Sequence, residues 1–174
     1  MTDRQPTEVT NLDRYGHQAL PWSRAHELLA NGPKGPLAGF FLGTVGPDGR
    51  PHSAGVGAVW YDGDLFFTSG PGTRKSRHLA ANPACTISVK LPGLDVVLEG
   101  TATRVTEPTT LAAVAAIYQG LGWPAEVSDG GFTAPFSAPS AGPAPWHLYA
   151  LALHTAVGVA TVEPYGATRW NFAI

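Results

Sequence analysis

Apolar residues in this chain follow three spacings in turn, and each predicts a different element. Trp22, Ala25, Leu28 and Leu29 recur at a helical period, so Pro21 to Gly32 predicts a short amphipathic helix closed by Asn31-Gly32. From Leu37 to Val45 the run is continuous, aromatic and branched, which predicts a strand ending at the turn Gly46-Pro47-Asp48-Gly49. A second strand is expected from Pro51 to Trp60, a turn at Asp62-Gly63, and a third strand over Asp64 to Thr68. Three strands joined by tight Asp-Gly turns predict an antiparallel meander.

Gly70-Pro71-Gly72 stops the meander, and Thr73 is placed to cap a helix over Arg74 to Ala81 that ends before Asn82-Pro83. Strands over Ala84–Lys90 and Asp95–Val105 come next, then a helix from Pro108 to Gly120 burying Leu111, Val114, Ala115 and Tyr118. Gly122 to Pro145 has no period and reads as a long loop, of the kind that is disordered or functional. Trp146–Leu153 and Thr155–Val162 read as the last two strands, followed by a tail, Ala167 to Phe172. Six or seven antiparallel strands with one inserted and one flanking helix fit a small barrel over residues 20–174, with residues 1–19 as a tail or an arm laid on a partner.

Composition sharpens this picture. The chain has 174 residues, enough for one domain, and 44% are hydrophobic, enough to fill a core without disulfides. Only 14% are charged, well below the usual quarter, so part of the surface is expected to be covered by a partner. A formal charge of −2 offers no footprint for nucleic acid or an anionic membrane. One cysteine excludes an internal disulfide, and no apolar run suits a signal peptide or a membrane span, which places the protein in the cytoplasm.

Candidate chemistry is concentrated in two places. Arg74, Lys75 and Arg77 are three of eleven basic residues and stand at a helix start, where free N–H groups and the hydroxyls of Thr73 and Ser76 also point toward an anion. Ser69-Gly70-Pro71-Gly72 can bring backbone N–H groups to the same place, although the same charges also suit a solvated turn. Ser53-Ala54-Gly55-Val56-Gly57-Ala58 has almost no side-chain bulk, as expected where a planar ring lies on a strand or where a barrel strand bends. Cys85 reads as core packing. His52, His78, His147 and His154 lack metal-ligand spacing, so no metal is expected. No nucleophile or acid pair is assembled, which leaves catalytic residues unassigned and redox chemistry to a cofactor.

Three blocks, Phe40 to His52, Trp60 to Thr68 and Gly72 to Pro83, resemble the pyridoxamine 5'-phosphate oxidase-like split-barrel flavoproteins. The ending Ala167-Thr168-Arg169-Trp170-Asn171-Phe172 is similar to an actinobacterial branch that binds FMN or the deazaflavin coenzyme F420. The resemblance implies a six-stranded antiparallel split β-barrel, a homodimer with cofactor at the subunit interface, and a small-molecule substrate. It places Arg74 and Lys75 at the cofactor phosphate, Thr68 and Ser69 beside it, and Gly55, Val56, Gly57, Ala58 and Val59 along the ring. Ser53, Thr73 and Trp170 complete the expected cofactor set, and Trp123, Phe132 and Phe136 the expected substrate pocket. FMN is the first expectation and F420 the alternative, in which case Lys34, Arg50 or Arg77 would meet the longer anionic tail. The expected activity is hydride transfer to or from a small organic molecule, set against a non-catalytic carrier. A heme-binding reading has no histidine suited to an axial position. Where the oxidase proper carries an Arg-Leu-containing block, this chain has Arg169-Trp170-Asn171-Phe172, which argues against vitamin B6 oxidation.

Overall fold

The computed structural model describes residues 4–33 and 39–173, so Lys34 and the start of the strand expected from Leu37 lie outside the described residues. Strand β2 (Phe40–Val45) pairs with β3 (Pro51–Val56) on one side and β6 (Ala84–Leu91) on the other. The ladder continues through β7 (Leu94–Val105) and β10 (His147–Ala160) to β5 (Asp64–Ser69) and β4 (Ala58–Tyr61), every pairing antiparallel. Because β3 and β4 are one course of chain, β4 leads back to β2 and the six-stranded split barrel is complete.

That course is the strand expected from Pro51 to Trp60, but it changes partner halfway. Phe40 faces Val56 across one ladder and Phe67 faces Ala58 across the other, with Gly57 at the switch. The Gly57 carbonyl accepts from the Thr68 N–H at 3.3 Å and from the Tyr118 hydroxyl at 2.9 Å, which fixes the bend. The low bulk of this segment therefore marks a barrel corner.

Three expectations need correction. The two strands expected over 146–162 are the single 14-residue β10, which carries a register shift between Leu153 and Thr155. A bulge at His154 bends the strand instead of ending it, so its first half pairs with β5 and its second with β11 (Ala167–Asn171). β11 is the segment read as a tail, and β1 (Glu8–Asn11) adds to its far edge, so this part of the N-terminal arm lies on its own chain. The loop expected from Gly122 to Pro145 contains a hairpin, β8 (Glu126–Ser128) and β9 (Gly131–Thr133), whose Asp129-Gly130 turn has φ of +48° and +71°.

Two cores result from alternation across the sheet. The first fills the barrel with Leu42, Ile87, Leu98, Leu151 and Phe67, and is plugged by helix α1 (Trp22–Asn31). Trp22 meets Trp170 and Phe172 edge-on, with ring centroids 5.4 and 4.9 Å apart. The second core lies outside the barrel, where Leu111, Val114, Ala115 and Tyr118 of helix α3 (Pro108–Gly120) pack with Val59, Phe66 and Phe132. Glu107 caps α3, accepting from the N–H groups of Thr109 and Thr110, and these bonds pull its carboxyl down to about 2. Among the described residues no helix is long and apolar enough to cross a membrane.

Candidate functional site

Helix α2 (Arg74–Ala81) starts where β5 ends, and a hydroxyl network sets the junction. Ser69 Oγ lies 2.7 Å from Ser76 Oγ and 3.1 Å from Thr73 Oγ1, while the Gly70 carbonyl accepts from both Thr73 and Ser76 at 2.8 Å. Thr73 is the helix cap, as expected, and its hydroxyl is spent on that role. Arg77 is similarly engaged, donating to the Gly72 carbonyl at 2.6 Å.

Beside this junction is a cavity of about 440 Å³. Its floor is Gly55, Val56 and Gly57 at the barrel corner, and one end is Thr68, Ser69, Gly70 and Lys75. A Cβ built on Gly55 would meet nothing within 4 Å, so the open space lies directly over bare strand backbone. Lys75 is half-buried, and desolvation lowers the pKa of its ammonium from the ordinary value, which favours an anionic partner beside it.

The rest of the enclosure comes from the insertion. Trp123, Phe136, Ser137, Ala138, Ser140, Ala141 and Trp146 line it, with Tyr118 from α3. Two indole N–H groups pin this roof: Trp123 donates to the Phe136 carbonyl at 2.8 Å and Trp146 to the Gly142 carbonyl at 3.0 Å. At Gly70 the backbone of Ala141 passes so close that an added Cβ would collide with its carbonyl. The Tyr118 hydroxyl is buried against Gly57 and Thr68, and burial pushes its pKa up, so it stays protonated and donates.

The expected site residues divide accordingly. Gly55, Val56, Gly57, Thr68, Ser69, Lys75, Trp123 and Phe136 meet at the one cavity. Ala58 and Val59 do not, because past the corner they turn toward α1 and α3, where Val59 joins the second core. Phe132 and Trp170 are fully buried core residues, Trp170 donating to the Leu20 carbonyl at 3.2 Å. Ser53 stays on the exposed outer face of β3, and Arg74 lines a different cleft with His52 and His78. Cys85 is buried, and desolvation pushes its thiol up to about 11, which removes it as a nucleophile.

Tyr118 and Trp146 were not expected at the cavity, although Tyr118 carries the one hydroxyl on the buried face of α3 and a buried tyrosine hydroxyl requires a partner. The residues 137–141 gave no signal, since small side chains in a Pro-Ser-Ala stretch look like linker.

Residues 38–135 match the family model described as pyridoxamine 5'-phosphate oxidase. A search of curated proteins finds no match. Among solved structures, a NimC/NimA family protein from Clostridium acetobutylicum is 17% identical with a TM-score of 0.58, covering 83% of this chain and 91% of that one. A pyridoxamine 5'-phosphate oxidase-related, FMN-binding protein from Nostoc punctiforme PCC 73102 is 22% identical with a TM-score of 0.56, covering 87% and 91%. An F420 reductase is 26% identical with a TM-score of 0.52, covering 75% and 94%.

Proposed function

The chain belongs to the pyridoxamine 5'-phosphate oxidase family, and from that premise we propose that it is a flavin-dependent oxidoreductase that holds FMN in the Lys75 cavity and exchanges hydride with a small organic substrate. The observation that carries this reading is the bare floor at Gly55–Gly57 joined to a half-buried ammonium at the start of α2. Residues present fit the group: glycine at the corner lets a flat ring approach the backbone, and Lys75 with the Thr68 hydroxyl and the α2 N-terminus suits a phosphate. A bound flavin supplies the two-electron redox step.

The chain's own residues bind, orient and exclude water. Lys75 neutralises the anion, and Tyr118 fixes the corner carbonyl so that the floor keeps its shape. Trp123, Trp146 and Phe136 cover the other side with apolar surface, which dries the chamber and strengthens the polar contacts inside it. Such a chamber favours a flat or conjugated substrate.

A second copy completes the site in this reading. The cross-strand row Gly55, Phe41, Ser88, Val97 and Val157 forms an uncharged stripe on the outer face of the sheet that begins at the cavity floor and ends at Arg169 on β11. Phe41 is 54% exposed within it. The reading includes the cytoplasmic setting inferred from the lone thiol.

F420 on the same floor is the second reading, favoured by the 26% identity to an F420 reductase. A non-catalytic carrier is the third, and among the described residues no histidine lines the cavity to support heme. The deciding experiment is the absorption and mass spectrum of the cofactor released from purified protein, followed by titration of FMN and F420 into the apoprotein. Micromolar or tighter FMN binding with F420 weak is expected, and the reverse order would transfer the assignment to F420. Binding of neither would overturn the reading.

A further inference from the structure

A cleft of about 330 Å³ opens between α2 and the paired ends of β7 and β10, and it shares no lining residue with the Lys75 cavity or with the cleft beside Arg74. We propose that it binds a small carboxylic acid with an apolar body, the carboxylate held by the Arg104 guanidinium and the Tyr149 hydroxyl and the body lying on Leu79, Ala80 and Ala102. The site rests on no part of the flavin reading.

Strand register brings the polar groups together. Arg104 and Tyr149 are directly opposite in the β7–β10 ladder, so their side chains leave the same face as cross-strand neighbours. His147 is two residues back on β10 and returns to that face, its ring centroid 6.4 Å from that of Tyr149. Tyr149 is the residue that calls for a ligand. It is only 9% exposed, its ring stacks on Phe67 with centroids 5.3 Å apart, and among the described residues its hydroxyl has no hydrogen-bond partner. A tyrosine hydroxyl at such depth requires a polar partner, and the cleft that Tyr149 lines is where one can reach it.

Arg104 is also unpaired. Among the described residues it makes no ion pair, although the β8–β9 turn passes close enough that a Cβ on Gly130 would stand 3.9 Å from its Nη2. Among the described residues no carboxylate lines the cleft, and Ser76, its remaining hydroxyl, is taken up by Ser69 and the Gly70 carbonyl. Burial first, and then the charge of Arg104, lower the pKa of His147 from its ordinary value, so near pH 7.5 the imidazole is neutral and offers an N–H without adding charge. The lining therefore carries a net charge of one, which a carboxylate neutralises and a doubly charged phosphate exceeds. The planar guanidinium can donate to both carboxylate oxygens at once, and the phenol O–H adds a third donor. Pro71, Leu79, Ala80 and Ala102 give the rest of the wall no polar side chain, which selects an apolar body over a sugar.

Benzoate is the probe, and benzamide, its neutral counterpart of the same shape, is the control. On the full chain near pH 7.5, calorimetry is expected to give benzoate a Kd on the order of 0.1–1 mM, with benzamide at least ~10-fold weaker and the His147 imidazole resonances shifting as benzoate is added. Arg104→Gln is expected to weaken benzoate about tenfold and Tyr149→Phe about three- to tenfold. Both variants should keep wild-type circular dichroism, since Arg104 is exposed and phenylalanine preserves the stack on Phe67. No saturable benzoate binding up to ~10 mM, benzamide binding as tightly, unmoved His147 resonances, or wild-type affinity in either variant would overturn the proposal. With FMN at saturation, unchanged benzoate affinity is expected; displacement of benzoate would make the cleft part of the cofactor site and overturn the proposal as well. Failure of FMN to bind counts against the flavin reading alone.

Discussion

Lys75 is the residue at which local sequence and site chemistry meet most directly. The Thr73 cap starts α2 so that Lys75 is its second residue, and the half-buried ammonium then faces a cavity with a bare backbone floor. Lys75→Ala is expected to weaken FMN binding by about 1.5–3 kcal/mol, roughly 10- to 150-fold, the range for hydrogen bonds to charged groups. Arg74→Ala should weaken it less, since Arg74 lines the cleft of His52 and His78 and acts on this cavity through its field alone. The pH dependence follows from desolvation, which lowers the folded-state pKa of Lys75 below the ordinary 10.5. Between those two values the unfolded chain binds more protons than the folded one, so the ligand-free protein loses this penalty as the pH rises through the window. Bound phosphate reverses the preference. The thermal stabilisation given by FMN should therefore shrink on the alkaline side in wild type and stay flat there in Lys75→Ala, as scanning calorimetry at neutral and alkaline pH would show.

At the scale of elements, the insertion between α3 and β10 is a roof fixed from below. Its hairpin is tied to β10 by paired backbone bonds between Phe132 and Trp146, both 2.8 Å, and its outer arm by two indole donors. Gly70 is where the roof meets the Lys75 end of the cavity. Gly70→Ala would force the Ala141 backbone away, at about 1–3 kcal/mol for an overpacked contact, or roughly 2–12 °C in Tm for a chain of this size. FMN affinity should fall with it, and tryptophan emission should move to the red as Trp123 and Trp146 become wetter; unchanged emission and affinity would show that the roof does not bound the site. The elements themselves were largely legible, because Asp-Gly turns and a 3.6-residue period are local signals, as at Gly46–Gly49 and in α3. Partner exchange was not. Whether the chain after Gly57 keeps its neighbour, or β10 passes through His154 without stopping, depends on strands distant in sequence. The Asp129-Gly130 turn was readable, but the three-residue strands beside it are too short to carry a period. For the site, the glycines marked the floor, and of the three cations Lys75 alone lies at the cavity. Aromatic content did not separate pocket from core, because Trp170 and Phe132 differ from Trp123 and Phe136 only in what the fold places over them.

At the scale of the whole molecule, the outer face of the barrel exposes an apolar row that includes Phe41. An exposed apolar row is a poor solvent surface, even though Lys90, Asp95, Glu99 and Arg169 border it on the same face. Phe41, flanked across the ladder by Gly55 and Ser88, is 54% exposed near the cavity end of that row. The low charge fraction of the entire chain has the same implication, and the stripe runs up to the Gly55 floor, so a twofold partner would lie over the open side of the cavity. We expect a homodimer burying more than ~2,000 Å² in total, the range of obligate interfaces, so that wild type scatters light as a dimer at micromolar concentration. Phe41→Glu places a charge in that stripe without disturbing the barrel core, since alternation along β2 points Phe40 and Leu42 inward and Phe41 outward. It should give a folded monomer with wild-type circular dichroism and much weaker FMN binding. A monomeric wild type, or a Phe41→Glu dimer that binds FMN normally, would detach the cofactor site from any subunit interface and leave it to the cavity of one chain.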